Sequence, residues 1–300
     1  LRTLDIREVG NCLLAPFFHE ATATFTHVLW ARDSRAALII DSVADYDSRS
    51  GSLSHESAEQ LIAFIQERGL RLERILDTHI HADHVTAAAF LRDRLGGRIG
   101  MSRAIVAVRD HFSPLLDIPE TESILHQVDD LFDDGDCFDL GGQSVDVLHV
   151  PGHTPADLCF RVADAIFVGD TIFMPDVGTA RCDFPGGDAT RLHAGIRRLL
   201  SHPDQTRLFL CHDYPPAGGD RDICAEVSVG TQRHSNIHAR DDIDQASFVR
   251  LRQSRDQGLD LPALIIPSLQ FNLRAGRLPE AQANGVSYLK VPINAFGKRG

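Results

Sequence analysis

Thr78-His79-Ile80-His81-Ala82-Asp83-His84 is the stretch that decides how this chain is read. His79 and His81 stand two residues apart, a spacing that in extended backbone turns both imidazoles to one side. The segment Leu72–Thr78 before them reads as a strand. Val85–Leu95 after them predicts a helix that Gly96-Gly97 ends. Asp83 and His84 therefore sit where a strand breaks toward a helix, in reach of a second point nearby. Three more donors recur at the ends of later predicted strands: His153 in Pro151-Gly152-His153-Thr154, Asp170 in Val168-Gly169-Asp170-Thr171, and His212 in Leu210-Cys211-His212-Asp213. A lone histidine is ordinarily a packed or solvated residue. Seven nitrogen and oxygen donors, each at a strand-to-loop edge, predict a site for a borderline or harder metal ion.

Outward from this stretch, Ala36–Asp41, Ser144–Val150, Leu158–Ala163, Ala165–Val168 and Arg207–Cys211 read as strands. A helix capped by Ser54 carries Ala58, Leu61, Ile62 and Ile65 at helical spacing and stops at Gly69. Arg191–Leu200, Ile223–His238 and Ser247–Arg255 also read as helical. The acidic stretch Asp117–Asp139 reads as a solvated face, because it lacks the regularly alternating oxygen donors of a calcium loop. From Pro262 the chain is rich in Pro, Asn and Gly, and Arg274, Arg277, Lys290, Lys298 and Arg299 outweigh Glu280. Strands and helices alternate in two batches, without a repeat or a linker. One α/β domain with two sheets is expected.

The composition narrows the function. Thirty basic against 42 acidic residues leave a net charge of −12 over 300 residues. No nucleic acid is expected as a partner, since gripping a polyanion needs a basic face. No membrane is expected either, because no apolar run approaches the ~18–20 residues of a span. Six cysteines without a Cys-x-x-Cys pair point to a reducing compartment. The first residues lack the charged-then-apolar layout of a signal peptide.

These motifs resemble the metallo-β-lactamase superfamily, whose signature is His-x-His-x-Asp-His, then Gly-His-Thr, then Gly-Asp, then a last histidine. The match runs from about Thr22 to Tyr214. It implies an αββα sandwich of two mixed sheets flanked by helices, with the metal at the rim between the sheets. Two ligand sets stay open at this point. With two metals, His79, His81 and His153 would hold one, Asp83, His84 and His212 the other, and Asp170 would bridge them. With one iron, His79, His153 and Asp170 would form a two-histidine, one-carboxylate face, and His81, Asp83, His84 and His212 would surround it.

Gly178-Thr179-Ala180-Arg181-Cys182-Asp183-Phe184 resembles the Gly-x-x-Arg-x-Asp-Phe stretch of persulfide dioxygenases, the ethylmalonic encephalopathy protein-like family, and His212-Asp213-Tyr214 is similar to the same family. Ala180 departs from human-like members, which carry a glycine there. The tail segments Pro267–Gly276 and Tyr288–Pro292 resemble the family's bacterial branch. The resemblance then covers nearly the whole chain: one domain over 1–300, with a family-specific C-terminal extension from about 220. It implies that one Fe(2+) per chain on His79, His153 and Asp170 oxidises glutathione persulfide with O2 to sulfite and glutathione, in a homodimer in the bacterial cytoplasm. The alternative is a glyoxalase II-like hydrolase of glutathione thioesters using two Zn2+.

An anionic tripeptide meeting an acidic chain needs local cations. Arg181 is the first candidate to bind it, in competition with an ion pair to Asp183 or Asp176; Tyr214, Arg274 and Lys290 are further candidates. His149, and the motif-free His19, His27, His111, His126, His193 and His202, read as structural. Strand alternation should turn Cys211 into the core, away from His212. Cys182 could be exposed in the substrate-side stretch. An RNA-processing nuclease would need a basic arm, a flavin-linked di-iron reductase usually has glutamate at His81, and a sensor without catalysis would have lost some of the seven donors.

Overall fold

Leu29 and Ala31 turn to one face of their strand while Val28 and Trp30 turn to the other, and all four are buried. That double burial explains the architecture: each face of the sheet is covered by another layer. A computed structural model describes residues 1–216 and 221–296; Lys298 and Arg299 lie outside the described residues.

The first half of the chain supplies one sheet. Its strands are β1 (Arg2–Thr3), β2 (Arg7–Val9), β3 (Cys12–His19), β4 (Thr24–Ala31) and β5 (Ala36–Ile40). A small hairpin, β6 (Asp45–Asp47) and β7 (Ser52–Ser54), leads to α1 (Glu56–Glu67), β8 (Arg71–Leu76), α2 (Ala88–Leu95), β9 (Arg98–Ser102), α3 (Ile105–Leu115) and β10 (Asp130–Phe132). The sheet runs β1-β3-β4-β5-β8-β9-β10, with β2 also on β3; β5, β8, β9 and β10 pair in parallel. The second half supplies β11 (Cys137–Leu140), β12 (Gln143–His149), β13 (Leu158–Val162), β14 (Ala165–Phe167), α4 (Ala189–Leu200), β15 (Arg207–Phe209) and β16 (Glu226–Ser228), ordered β11 to β16 across one sheet. Helices α5 (Val229–Ser235), α6 (Gln245–Asp256) and α7 (Ile265–Asn272) end the chain.

One apolar cluster lies between the sheets, with Leu38, Ile40 and Leu76 from the first meeting Val147, Phe160, Phe167 and Phe209 from the second. Each such side chain contributes about 1.5–3 kcal/mol by its burial. The alternate residues Ala37 and Ile39 face outward under α1, α2, α3 and α7. Ile166 and Leu208 face outward under α4, α5 and α6. The αββα sandwich of two mixed sheets flanked by helices is thus present.

Several expectations are corrected. Ser54 closes β7 and does not cap α1; Asp45 does that work, its Oδ2 accepting from Ser57 N at 2.8 Å. Ile223–His238 is not one helix but β16 followed by α5. The helix expected over Val85–Leu95 begins at Ala88. Strands β3 and β4, helix α3 and helix α7 had no counterpart in the sequence reading. In the acidic stretch, Asp130 pairs with Arg98 and Arg74, Asp133 with Arg103 and Asp134 with Arg198. These carboxylates are ion-pair partners of the sandwich, and none belongs to a metal-sized cluster among the described residues.

Candidate metal centre

The site is framed by an acid that carries no motif. Asp41 follows β5 in a left-handed conformation (φ 53°), and its two oxygens accept from Thr78 N (2.7 Å) and Thr78 Oγ1 (3.0 Å), fixing the exit from β8. His81 Nε2 turns to the same carboxylate at 3.1 Å. The irregular backbone that follows is anchored from the far end of the chain. Asn272 of α7 donates to His81 O (2.8 Å) and His84 O (2.9 Å) while its oxygen accepts from Thr86 N (2.8 Å). Glycines bring the other motifs close. A Cβ on Gly152 would lie 2.4 Å from the Leu192 backbone, and one on Gly169 would lie 2.7 Å from Thr78 Oγ1 with φ at +52°.

All seven donors arrive at one rim of the sandwich. His79 Nε2 and His153 Nε2 each lie 3.8 Å from Asp170 Oδ2, and these three residues form one group whose donor atoms are within 4.8 Å of each other. His212 Nε2 lies 3.2 Å from Asp83 Oδ2 and 3.3 Å from Asp170 Oδ1, and His84 Nδ1 lies 3.3 Å from Asp83 Oδ1. The binuclear arrangement expected His81 beside His79 and His153. The ring of His81 lies 4.2 Å from that of His79, and its donor atoms also come within reach of Asp83 and His84, and of Asp41 and Asp77.

The donor set fits a cation. His79 Nε2, His81 Nδ1, His84 Nε2, His212 Nε2 and Asp170 Oδ1 are buried without a hydrogen-bond partner. Orphaned polar atoms of this kind cost about 1–3 kcal/mol each, and five at one place are explained together by a metal ion. Their remaining nitrogens are held: His79 Nδ1 by Thr78 Oγ1 (3.1 Å), His153 Nδ1 by Arg181 O (2.8 Å) and His212 Nδ1 by Ala23 O (3.1 Å). Such contacts set which ring nitrogen is free to bind. Burial, reinforced by the neighbouring His81 and His153, pushes His79 well below the usual imidazole range. Burial and His81 bring His84 down to about 4. Burial would depress His81 as well, but the charge and hydrogen bond of Asp41 outweigh it and raise His81 to about 9. Burial would lower His212 too, but Asp83 and Asp170 raise it, so His81 and His212 both face carboxylates while His79 and His84 are held neutral, the form in which imidazole binds a metal.

A cleft of about 260 Å³ opens over Asp83, His153 and Asp170. Arg181 borders it, but its guanidinium grips both oxygens of Asp183 (2.6 and 2.7 Å) and the carbonyl of Asp260 (2.7 Å). Tyr214 also borders it, 45% exposed, with its ring parallel to that of His212 at 5.7 Å and edge-on to Phe173. Arg274 is not a cleft residue; it is buried on Glu122 and on the carbonyl of Gln270. Lys290 is bound to Asp117 on the surface. Both corrections have one cause: acids far off in sequence neutralise these cations. Cys211 is buried, yet it does not turn away from His212. Its Sγ lies within 4.8 Å of the donor atoms of both Asp170 and His212, in the floor of the cluster. Cys182 is partly buried, and burial raises its thiol to about 12. His149 Nε2 donates to Pro155 O (2.9 Å), a structural contact.

Sequence reasoning missed Asp41, Asn272 and Arg255. Arg255 is exposed on α6, lines the cleft, and has no carboxylate partner among the described residues. The unpaired acid after β5 was the one available signal for Asp41.

The chain belongs to the metallo-beta-lactamase superfamily, whose family model matches residues 21–212. It is 46% identical over 291 residues to a probable metallo-hydrolase of Burkholderia pseudomallei, covering 93% of this chain and 98% of that one. It is 31% identical over 206 residues to the mitochondrial persulfide dioxygenase ETHE1 of Homo sapiens, covering 67% and 68%. The fold is similar to the crystal structure of ETHE1 from Myxococcus xanthus, with a TM-score of 0.70 at 23% identity, covering 91% of this chain and all of that one. Among the described residues no helix is long and apolar enough to cross a membrane.

Proposed function

We propose that this chain is an iron-dependent persulfide dioxygenase, converting glutathione persulfide, dioxygen and water to sulfite and glutathione. The observation that carries this reading is the three-donor group of His79, His153 and Asp170, with the Nε2 of His81 taken by Asp41. Two histidines and one carboxylate on one face is the ligand set of mononuclear Fe(II) oxygenases. One Fe(2+) held there would supply adjacent open positions for the terminal sulfur and for dioxygen. The protein's own part is positional. Asp83, His84 and His212 close the far side of the cluster, Tyr214 and Phe173 wall the cleft, and Arg255 offers its guanidinium to a carboxylate of the thiol. Arg181 orders the wall through Asp183 and lends its carbonyl to His153. The similarity to the human persulfide dioxygenase supports the same reading. The domain plan is part of the proposal: one metallo-β-lactamase domain whose extension, from about residue 220, supplies α6 and α7 to the site. The free state of all six cysteines suits a reducing cytoplasm, and the exposed apolar Val286, Tyr288, Val291 and Ile293 suit a homodimer.

The second reading, a binuclear hydrolase of glutathione thioesters with two Zn2+, is favoured by one observation. Asp83 and His212 stand 3.2 Å apart beside Asp170, able to take a second ion. Protein purified without oxygen decides between the two by metal content and oxygen uptake on adding glutathione persulfide. About one iron per chain with sulfite formed supports the dioxygenase. Two zinc ions, no oxygen uptake and thioester turnover would replace it with the hydrolase.

A further inference from the structure

We propose that Arg252 and Asp256, a buried ion pair on α6, are positioning residues that hold the metal-facing nitrogen of His153 in place through the backbone of Thr179–Cys182. The inference rests on His153 being a metal ligand. His153 Nδ1 is 2.8 Å from Arg181 O. A carbonyl only accepts, so Nδ1 carries the proton and Nε2 presents its lone pair toward Asp170, 3.8 Å away. The place of that one carbonyl therefore fixes both the tautomer and the aim of the ring.

Arg181 lies in a stretch with neither helix nor strand, between β14 and α4. Nothing in a backbone ladder holds its carbonyl, so side chains must. One residue beyond it, Cys182 N donates to Asp256 Oδ2 at 2.8 Å. Two residues before it, Thr179 O accepts from Arg252 Nη1 at 2.8 Å. The two side chains, one helical turn apart on α6, close on each other as an ion pair, with side chains only 1% and 7% exposed. A third tie comes from His238 Nδ1, which accepts from Thr179 N at 3.0 Å. The pair thus brackets Arg181 O from both sides.

Packing alone does not account for this. An apolar pair would cover the same ground without the desolvation cost of burying two charges. The atoms left over after the pair forms are spent on two backbone groups that flank the His153 acceptor. The ion pair thereby acts on His153 without contacting it.

The test uses the full chain freed of metal, with cobalt(II) as the probe and its visible absorption as the readout. Arg252→Met with Asp256→Leu removes both ties while keeping the burial apolar. This variant should melt within a few degrees of the wild type when metal-free, yet bind cobalt about 10–100-fold more weakly. Arg252→Gln with Asp256→Asn can still donate to Thr179 O and accept from Cys182 N, and should recover most of the affinity. If the apolar pair does not fold, Asp256→Ala alone, which removes the acceptor for Cys182 N, takes its place in the comparison, with weakening again expected. Wild-type affinity in the apolar pair, alongside a loss of binding in His153→Ala, overturns the inference and leaves the site assignment standing. Wild-type affinity in His153→Ala overturns the assignment itself.

Discussion

His81 Nε2 lies 3.1 Å from Asp41 Oδ1, which leaves its Nδ1 as the one unpartnered nitrogen of a ring 4.2 Å from that of His79. Two histidines of one motif thus do different work. His81→Gln, which can still donate to Asp41, should keep about one metal per chain. His79→Ala, His153→Ala and Asp170→Asn should each lose it. Metal analysis of the four proteins checks this; loss of metal in His81→Gln would argue for the binuclear arrangement.

Arg255 is the cation of the cleft that no carboxylate holds. Arg255→Gln should raise KM for glutathione persulfide about 10-fold or more and leave kcat nearly unchanged, since a hydrogen bond to a charged group contributes about 1.5–3 kcal/mol. The effect should shrink at high salt. A fall in kcat with KM unchanged would place Arg255 outside substrate binding.

Removing the metal should destabilise the chain, because the orphaned His79, His84, His212 and Asp170 atoms then face one another unsatisfied. A ligand present at ~100 times its Kd contributes about 2.7 kcal/mol. Thermal melts with and without chelator should differ by several degrees, and adding metal back should restore the loss. Identical melts would mean that the cluster holds no ion in solution.

Asp45 gives a pH-dependent term away from the metal. Burial works to raise its carboxyl, but hydrogen bonds from His19 and Ser57 prevail and bring it to about 2 from an ordinary value near 3.8. A depressed folded pKa means stability that is present above about pH 4 and lost as pH falls through about 2. After allowance for solvent screening the term is about 1–2 kcal/mol. Asp45→Asn should be less stable than wild type by that amount in urea at pH 7, with the gap closing toward pH 2. A gap of the same size at both pH values would remove the ionic explanation.

The donors of the site were readable because each ends a strand and each sits in a short motif. The alternating runs indicated one α/β domain with two sheets, and the αββα layering came from the family resemblance that the motifs carry. What escaped were features with no local mark. β3 and β4 are buried on both faces, so they show no alternation, and they carry Thr24, Thr26 and His27 inside. β16 is three residues long, too short to interrupt a helical pattern. Arg274 and Lys290 looked like free cations because Glu122 and Asp117 lie more than 150 residues away in sequence. Arg255 looked like any surface residue of a polar helix, since which face meets the cleft is decided by Arg252 and Phe248 packing inward.

Asn272 grips the backbone of His84 across 188 residues of chain. At about 5–20 residues per second, a ribosome needs about 10–40 s to travel that distance. Throughout that interval the histidines of the motif exist without the clasp that shapes their loop. The loop of the motif is consequently left to the contacts of its own half of the chain until α7 has been made and can close on it.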